Sequence, residues 1–266
     1  MKNFNVILMK KKINYEIEGT GDTIVLLHGF LESLEIWDYY SENLSKEYRV
    51  VRIDLPGHGK SDVINSVHTM ELMAEAVKTV LDKEGVNKCI MAGHSMGGYT
   101  TLAFAEQYPE YLKGLVLFHS AAHADSEEVK KNRDRMVKLV EQDRLGFINN
   151  FIPGLFAPDN IKRFSKEIDN LKNSAAQTSK KAIVAALKGM KERTEKISLL
   201  KNITIPVIYI IGKEDSRIPT DVALKQAALP NRCSVLLLGD VGHMGYIEAK
   251  DETLKALKCF ANQLFS

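Results

Sequence analysis

"KCIMAGHSMGGYTTLAFAEQ", residues 88–107, joins an apolar run to a helical pattern through a serine bracketed by glycines. Ser95 stands between Gly93 and Gly97, with Gly98 close behind. A strand that turns sharply into a helix strains the backbone at the turn and brings neighbouring chain very close. Positions two before and two after the turning residue then tolerate no bulky side chain. A helix starting at Met96 aims its first N–H groups at the serine, where they stabilise developing negative charge. In this setting Gly-x-Ser-x-Gly reads as a nucleophile turn; a serine in an ordinary glycine loop is the plainer alternative.

Working outward, short apolar runs ended by turn residues recur at "TIVLLHG" (23–29), "RVVRIDLPG" (49–57), "KGLVLFHS" (113–120), "PVIYIIG" (206–212) and "SVLLLG" (234–239). Continuous runs of this length predict parallel strands buried on both faces. Helical patterns lie between them at 69–84, behind Thr69 as N-cap, and at 98–107 and 249–264. The alternation is that of a doubly wound α/β sheet. Segments 4–9 and 12–18 are too close for a crossover helix and are expected to pair as an antiparallel hairpin at its edge.

From about 120 to 200 the alternation stops. Val129, Met136, Val137 and Val140 share one helical face, and Ala175, Ser179, Ala182, Ile183, Ala186 and Leu187 another. The division expected is a core domain of residues 1–119 and 201–266 with an all-helical insertion, 120–200, between two of its strands. The middle of the insertion, "LGFINNFIPGLFAP" (145–158), is rich in large apolar side chains. Some of these pack the insertion onto the sheet. Phe147, Phe151, Ile152, Leu155 and Phe156, with Met244, are the candidates for lining an apolar pocket beneath a lid.

Thirty-six Lys and Arg against thirty-four Asp and Glu leave a net charge of +2, which offers no electrostatic reason to expect nucleic acid or an anionic membrane as partner. Three scattered cysteines, Cys89, Cys233 and Cys259, make no disulfide framework and favour a reducing compartment. The N-terminus has a strand-like alternation and no signal-peptide core, and no apolar run approaches the roughly 20 residues of a membrane span. The expectation is a cytoplasmic protein, monomer or homodimer.

A serine hydroxyl attacks only when a base removes its proton and a carboxylate orients that base. His94 adjoins Ser95, but successive side chains at a strand end point in opposite directions, so it is expected to pack or hydrogen-bond beneath the turn. His28, His58, His68, His119 and His123 lie in turns, a loop and the start of the insertion. His243, in the glycine-bracketed turn "LGDVGHMGYIE" after the last apolar run, emerges at the carboxyl edge of the sheet with Ser95, where ligand sites of open α/β sheets lie. For the acid, Asp215 in "IIGKEDSRIP" directly follows a strand at the same edge. Glu214 is its near rival; Asp54 is another, with a role in fixing "DLPGHGKSD" as its alternative.

The order Ser95, Asp215, His243, together with "LLHGF", "DLPGHGKSD", "GHSMGG", "GKEDSRIP" and "VGHM", resembles the α/β-hydrolase superfamily along nearly the whole chain. The resemblance implies an eight-stranded, mostly parallel sheet flanked by helices with an inserted helical cap. It also implies an oxyanion hole from the backbone N–H of Phe30 and Met96, and acyl transfer with no metal or organic cofactor. A single Gly29 replaces the triple glycine of some lipases, which argues against bulky tertiary-alcohol esters. Serine at 95 argues against haloalkane dehalogenases and epoxide hydrolases, and Met96 against proline iminopeptidases. Carboxylesterases, lactonases, carbon–carbon bond hydrolases and menaquinone-type lyases or synthases remain, with a non-catalytic ligand receptor as the other class. A small-molecule carboxylic ester, lactone or thioester is the expected substrate.

Overall fold

Thr23–Leu27 is buried at every position, and so is Cys89–His94, as an apolar run must be when helices cover both faces of a sheet. The structure is a computed structural model that describes residues 2–265. Its strands are β1 (Lys2–Leu8), β2 (Lys11–Glu18), β3 (Thr23–Leu27), β4 (Arg49–Ile53), β5 (Cys89–His94), β6 (Leu112–Phe118), β7 (Val207–Gly212) and β8 (Cys233–Leu238). They form one sheet in the order β1-β2-β4-β3-β5-β6-β7-β8. The β1–β2 and β2–β4 pairs are antiparallel and all others parallel. Met9 and Lys10, both at positive φ, make the two-residue hairpin turn between β1 and β2.

The helices are α1 (Asp38–Leu44), α2 (Met70–Lys83), α3 (Met96–Gln107), α4 (Glu127–Gln142), α5 (Arg144–Phe151), α6 (Ser165–Ala175), α7 (Lys180–Glu192), α8 (Ile197–Asn202), α9 (Thr220–Ala227), α10 (Gly245–Glu248) and α11 (Lys250–Phe265). Thr69 caps α2 by accepting the Leu72 N–H at 3.1 Å. Among the described residues, no helix is long and apolar enough to cross a membrane.

Between β6 and β7 the chain is helical, α4 to α8, with no strand. Its two ends meet: the Lys196 N–H donates to the Ala122 carbonyl at 2.7 Å. Gly189 of α7 lies against the carbonyl of His68, and the His68 N–H donates to Ala185 at 3.0 Å. The face read from Ala175 through Leu187 is two helices rather than one. Ser179 accepts the Ala182 N–H at 3.2 Å and starts α7 afresh, because a short hydroxyl side chain caps a helix better than it continues one.

One strand departs from the reading of its sequence. β8 pairs with β7 alone, and Val235 and Leu237 are 44% and 39% exposed, so its apolar run is not buried on both faces. It is an edge strand, with one side open to whatever adjoins it. Because β3, β5, β7 and β8 run in parallel, the loops following them leave the sheet at one edge. That edge carries Phe30, Ser95, Asp215 and His243.

Candidate active site

Ser95 joins β5 to α3 at φ 51° and ψ −113°, outside the range that side chains adopt freely. Such a conformation costs roughly 1–3 kcal/mol and survives only where surrounding contacts impose it. Here the Ser95 N–H donates to Phe118 O at 2.9 Å, and Ser120 Oγ donates to Ser95 O at 2.9 Å. The glycines matter for space: a Cβ on Gly93 would strike the Gly97 backbone, and one on Gly97 the Leu27 carbonyl. The backbone N–H groups of Phe30 and Met96 have no protein acceptor among the described residues.

The Ser95 hydroxyl lies 2.8 Å from His243 Nε2. On its other side, His243 Nδ1 lies 2.8 Å from Asp215 Oδ2 and 3.0 Å from Oδ1. A carboxylate only accepts, so Nδ1 carries the proton and Nε2 is left as the acceptor facing the serine. Asp215 is fixed in turn by the N–H groups of Arg217 (2.8 Å) and Ile218 (3.0 Å). Burial alone would raise its pKa. The neighbouring His243 and the hydrogen bonds from His119 and His243 override burial and hold the carboxyl well below the usual range.

His119 is a second histidine on the same carboxylate, with Nδ1 3.1 Å from Asp215 Oδ2; burial pushes its pKa down to about 4 and keeps the ring neutral. His119, Asp215 and His243 each place one ligand atom within 4.8 Å of the others, a spacing a metal ion could use, but hydrogen bonds already join both histidines to Asp215.

His94 turns away from the Ser95 hydroxyl. Its Nδ1 lies 3.0 Å from Glu32 Oε2 and its Nε2 2.9 Å from the His243 carbonyl. Both partners are acceptors, so both nitrogens donate and the ring is a cation. Burial opposes that charge, but Glu32 overrides it and lifts the pKa above the ordinary 6.5. Glu32 also accepts the Gly29 N–H at 2.5 Å, which ties the turn carrying Phe30 to the loop carrying His243.

Other residues named from the sequence have structural posts. Glu214 is exposed, whereas Asp54 accepts from Leu34 N–H and Asn14 at 2.8 Å and from Lys60 N–H at 2.9 Å, which fixes its loop. His28 bridges Gly29 O and the Leu55 N–H, His68 accepts from Ile64 N–H, His58 sits against Pro56 O, and His123 meets Gln226.

A cavity of about 230 Å³ opens over Ser95 and His243. Of the apolar candidates, Phe151 and Leu155 line it, joined by Phe30 and Ile218. The other four do not. Phe147 stacks on Phe151 at 5.3 Å and faces an adjoining groove. Ile152, one position past Phe151, turns to another face and is buried; Phe156 packs near Phe164 at 6.3 Å, and Met244 is buried with its N–H on Glu248. The pocket is also more polar than "LGFINNFIPGLFAP" suggests, because Asp125, Arg133, Arg193 and Arg217 line it. Asp125, Arg133 and Arg193 lie in no motif and sit among other charged residues that read as a solvated face, whereas Arg217 falls within "GKEDSRIP", a segment whose reading turns on its acids.

Residues 22–250 match the family described as alpha/beta hydrolase fold. The chain is 26% identical over 277 residues to a 2-hydroxy-6-oxononadienedioate/2-hydroxy-6-oxononatrienedioate hydrolase of Paraburkholderia phymatum, covering 95% of this chain and 91% of that protein. Among solved structures, it is similar to a malate-bound thermophilic esterase from Thermogutta terrifontis, with TM-score 0.94, 28% identity and all of both chains covered. An enol-lactonase from Burkholderia xenovorans shares the fold at TM-score 0.90 and 22% identity, over 97% of this chain and 99% of that one.

Proposed function

Since the chain belongs to the alpha/beta hydrolase fold family, we propose that it is a serine hydrolase that cleaves a small carboxylic ester, lactone or thioester through an acyl-enzyme. The observation that carries this reading is the continuous chain of hydrogen bonds from Ser95 Oγ through His243 to Asp215. His243 Nε2 takes the hydroxyl proton as Oγ attacks the carbonyl carbon, and the N–H groups of Phe30 and Met96 receive the oxyanion. Asp215 stabilises the imidazolium, which returns the proton to the leaving oxygen or sulfur. Water, activated by the same histidine, then releases the acid. Residues 120–200 act as a cap that closes the pocket from above.

A second reading has one observation in its favour. The curated relative of Paraburkholderia phymatum is named for a dienedioate hydrolase, which supports carbon–carbon bond hydrolysis by the same residues. The similarity to the esterase of Thermogutta terrifontis, at higher identity and full coverage, favours the ester. A fluorophosphonate probe tests the common core: wild-type protein is labelled, while Ser95→Ala and His243→Ala are not. Protein that folds but never labels refutes the serine mechanism. Turnover of nitrophenyl esters against a ring-cleavage dienoate then separates the two readings.

A further inference from the structure

We infer that the substrate carries a carboxylate, and that Arg133, Arg193 and Arg217 form its receptor over Ser95. This rests on the hydrolase reading and adds the chemical class of what is hydrolysed. The three guanidinium groups come from α4, from the end of α7 and from the loop after β7, and all line the cavity that holds Ser95 and His243.

Charge is not balanced there. Asp125, its side chain 2% exposed, accepts from Arg133 Nε at 2.7 Å through one oxygen and from Arg193 Nη1 through the other. One carboxylate thus serves two arginines. Glu32, the other acid on the cavity wall, is committed to His94, Gly29 and Tyr246. Arg217 pairs with no acid among the described residues; it stands at the mouth with its guanidinium 4.6 Å over the Phe151 ring. Three positive groups against Asp125, and against the Asp215 carboxylate that acts on Arg217 from two residues away, leave one positive charge in excess in a small space.

Donors are unspent as well. Neither Nη of Arg133 has a protein acceptor among the described residues, nor does Nη2 of Arg193 or any nitrogen of the Arg217 side chain. Planar guanidinium forks match a carboxylate through paired hydrogen bonds, and like charges lining one pocket repel until an anion enters. At about 230 Å³ the cavity falls below the roughly 300–1,000 Å³ of drug-sized sites, so the anion is a small one, such as the half-ester of a short dicarboxylic acid or a carboxylate-bearing alcohol.

Two pairs of esters matched in shape test this. On the acyl side, 4-nitrophenyl hydrogen glutarate is compared with 4-nitrophenyl 5-methylhexanoate; on the alcohol side, 4-carboxyphenyl butanoate with 4-isopropylphenyl butanoate. The expected result is an anionic-to-neutral ratio of kcat/KM above about ten in at least one pair, falling at least tenfold in Arg217→Met and in Arg133→Met. Ratios at or below one in both pairs, or ratios untouched by both variants, overturn the inference while leaving the hydrolase reading intact, because the neutral esters and the fluorophosphonate probe report on that separately. If no ester turns over, calorimetric titration with glutarate decides: binding weakened at least tenfold by Arg217→Met supports the receptor, and no binding to wild-type protein overturns it.

Discussion

At the scale of single residues, Ser95 illustrates how the fold stores strain where the chemistry is placed. Both Ser95→Ala and Ser95→Gly delete the hydroxyl, but only glycine is at ease at φ 51°. The glycine variant is therefore expected to be the more stable by about 1 kcal/mol, a difference of roughly 2–4 °C in Tm in a chain of this size. Equal melting temperatures would show that the turn is unstrained. His94 carries a different signature. Its pKa is raised from 6.5, so its contribution to stability is full below that value and fades as pH climbs through the raised one. Glu32 is lowered from 4.5, because His94 and the Gly29 N–H outweigh burial, so its share is full above that value and fades as pH falls. The Tm difference between wild type and His94→Gln should peak between pH 4.5 and 6.5 and shrink on the alkaline side; a difference that grows above pH 8 would contradict a charged His94. Alternation of side chains suffices to remove His94 as the base. Its ion pair with Glu32, 62 residues away, is invisible to local pattern.

At the scale of elements, Gly189 in the interior of α7 sets two effects against each other. Helix propensity favours alanine there by about 1 kcal/mol. The Cβ, however, would collide with the His68 carbonyl, and crowding of a packed contact typically costs about 1–3 kcal/mol. Because the neighbour is backbone that cannot swing aside, Gly189→Ala should lower stability by urea unfolding, and a stabilised variant would mean that α7 does not press on that loop. Elements whose pattern repeats are legible from the chain alone: β3 and β5, continuous and apolar, are buried throughout. β8 has the same kind of run and lies at an edge, since apolar content records propensity for a strand and not the strand's place in the order. Phe151 and Leu155 reach the cavity while Ile152 between them does not, a distinction that depends on how the turn at the end of α5 is set over it.

At the scale of the molecule, the candidate site exists only when distant strands are in register. Ser95 follows β5, Asp215 follows β7 and His243 follows β8, and His243 hydrogen-bonds both of the others. Loss of hydrolase activity and loss of far-ultraviolet circular dichroism are therefore expected at one urea midpoint, and activity lost well before the secondary structure would point to a locally loose site. Strand ends and their chain order can be read from the sequence because both follow from parallel topology. The arginines from α4, from the end of α7 and from the loop after β7 cannot, since only tertiary packing brings them together on one cavity wall. The hydrogen bond from Lys196 N–H to Ala122 O, which closes the helical segment at its base, has a consequence for descent. Where the ends of a connection already meet, doubling its length costs only about 0.6 kcal/mol. These helices can therefore be lengthened, shortened or exchanged without retuning the strands beneath them, which leaves the lining of the cavity free to change while Ser95, Asp215 and His243 stay in place.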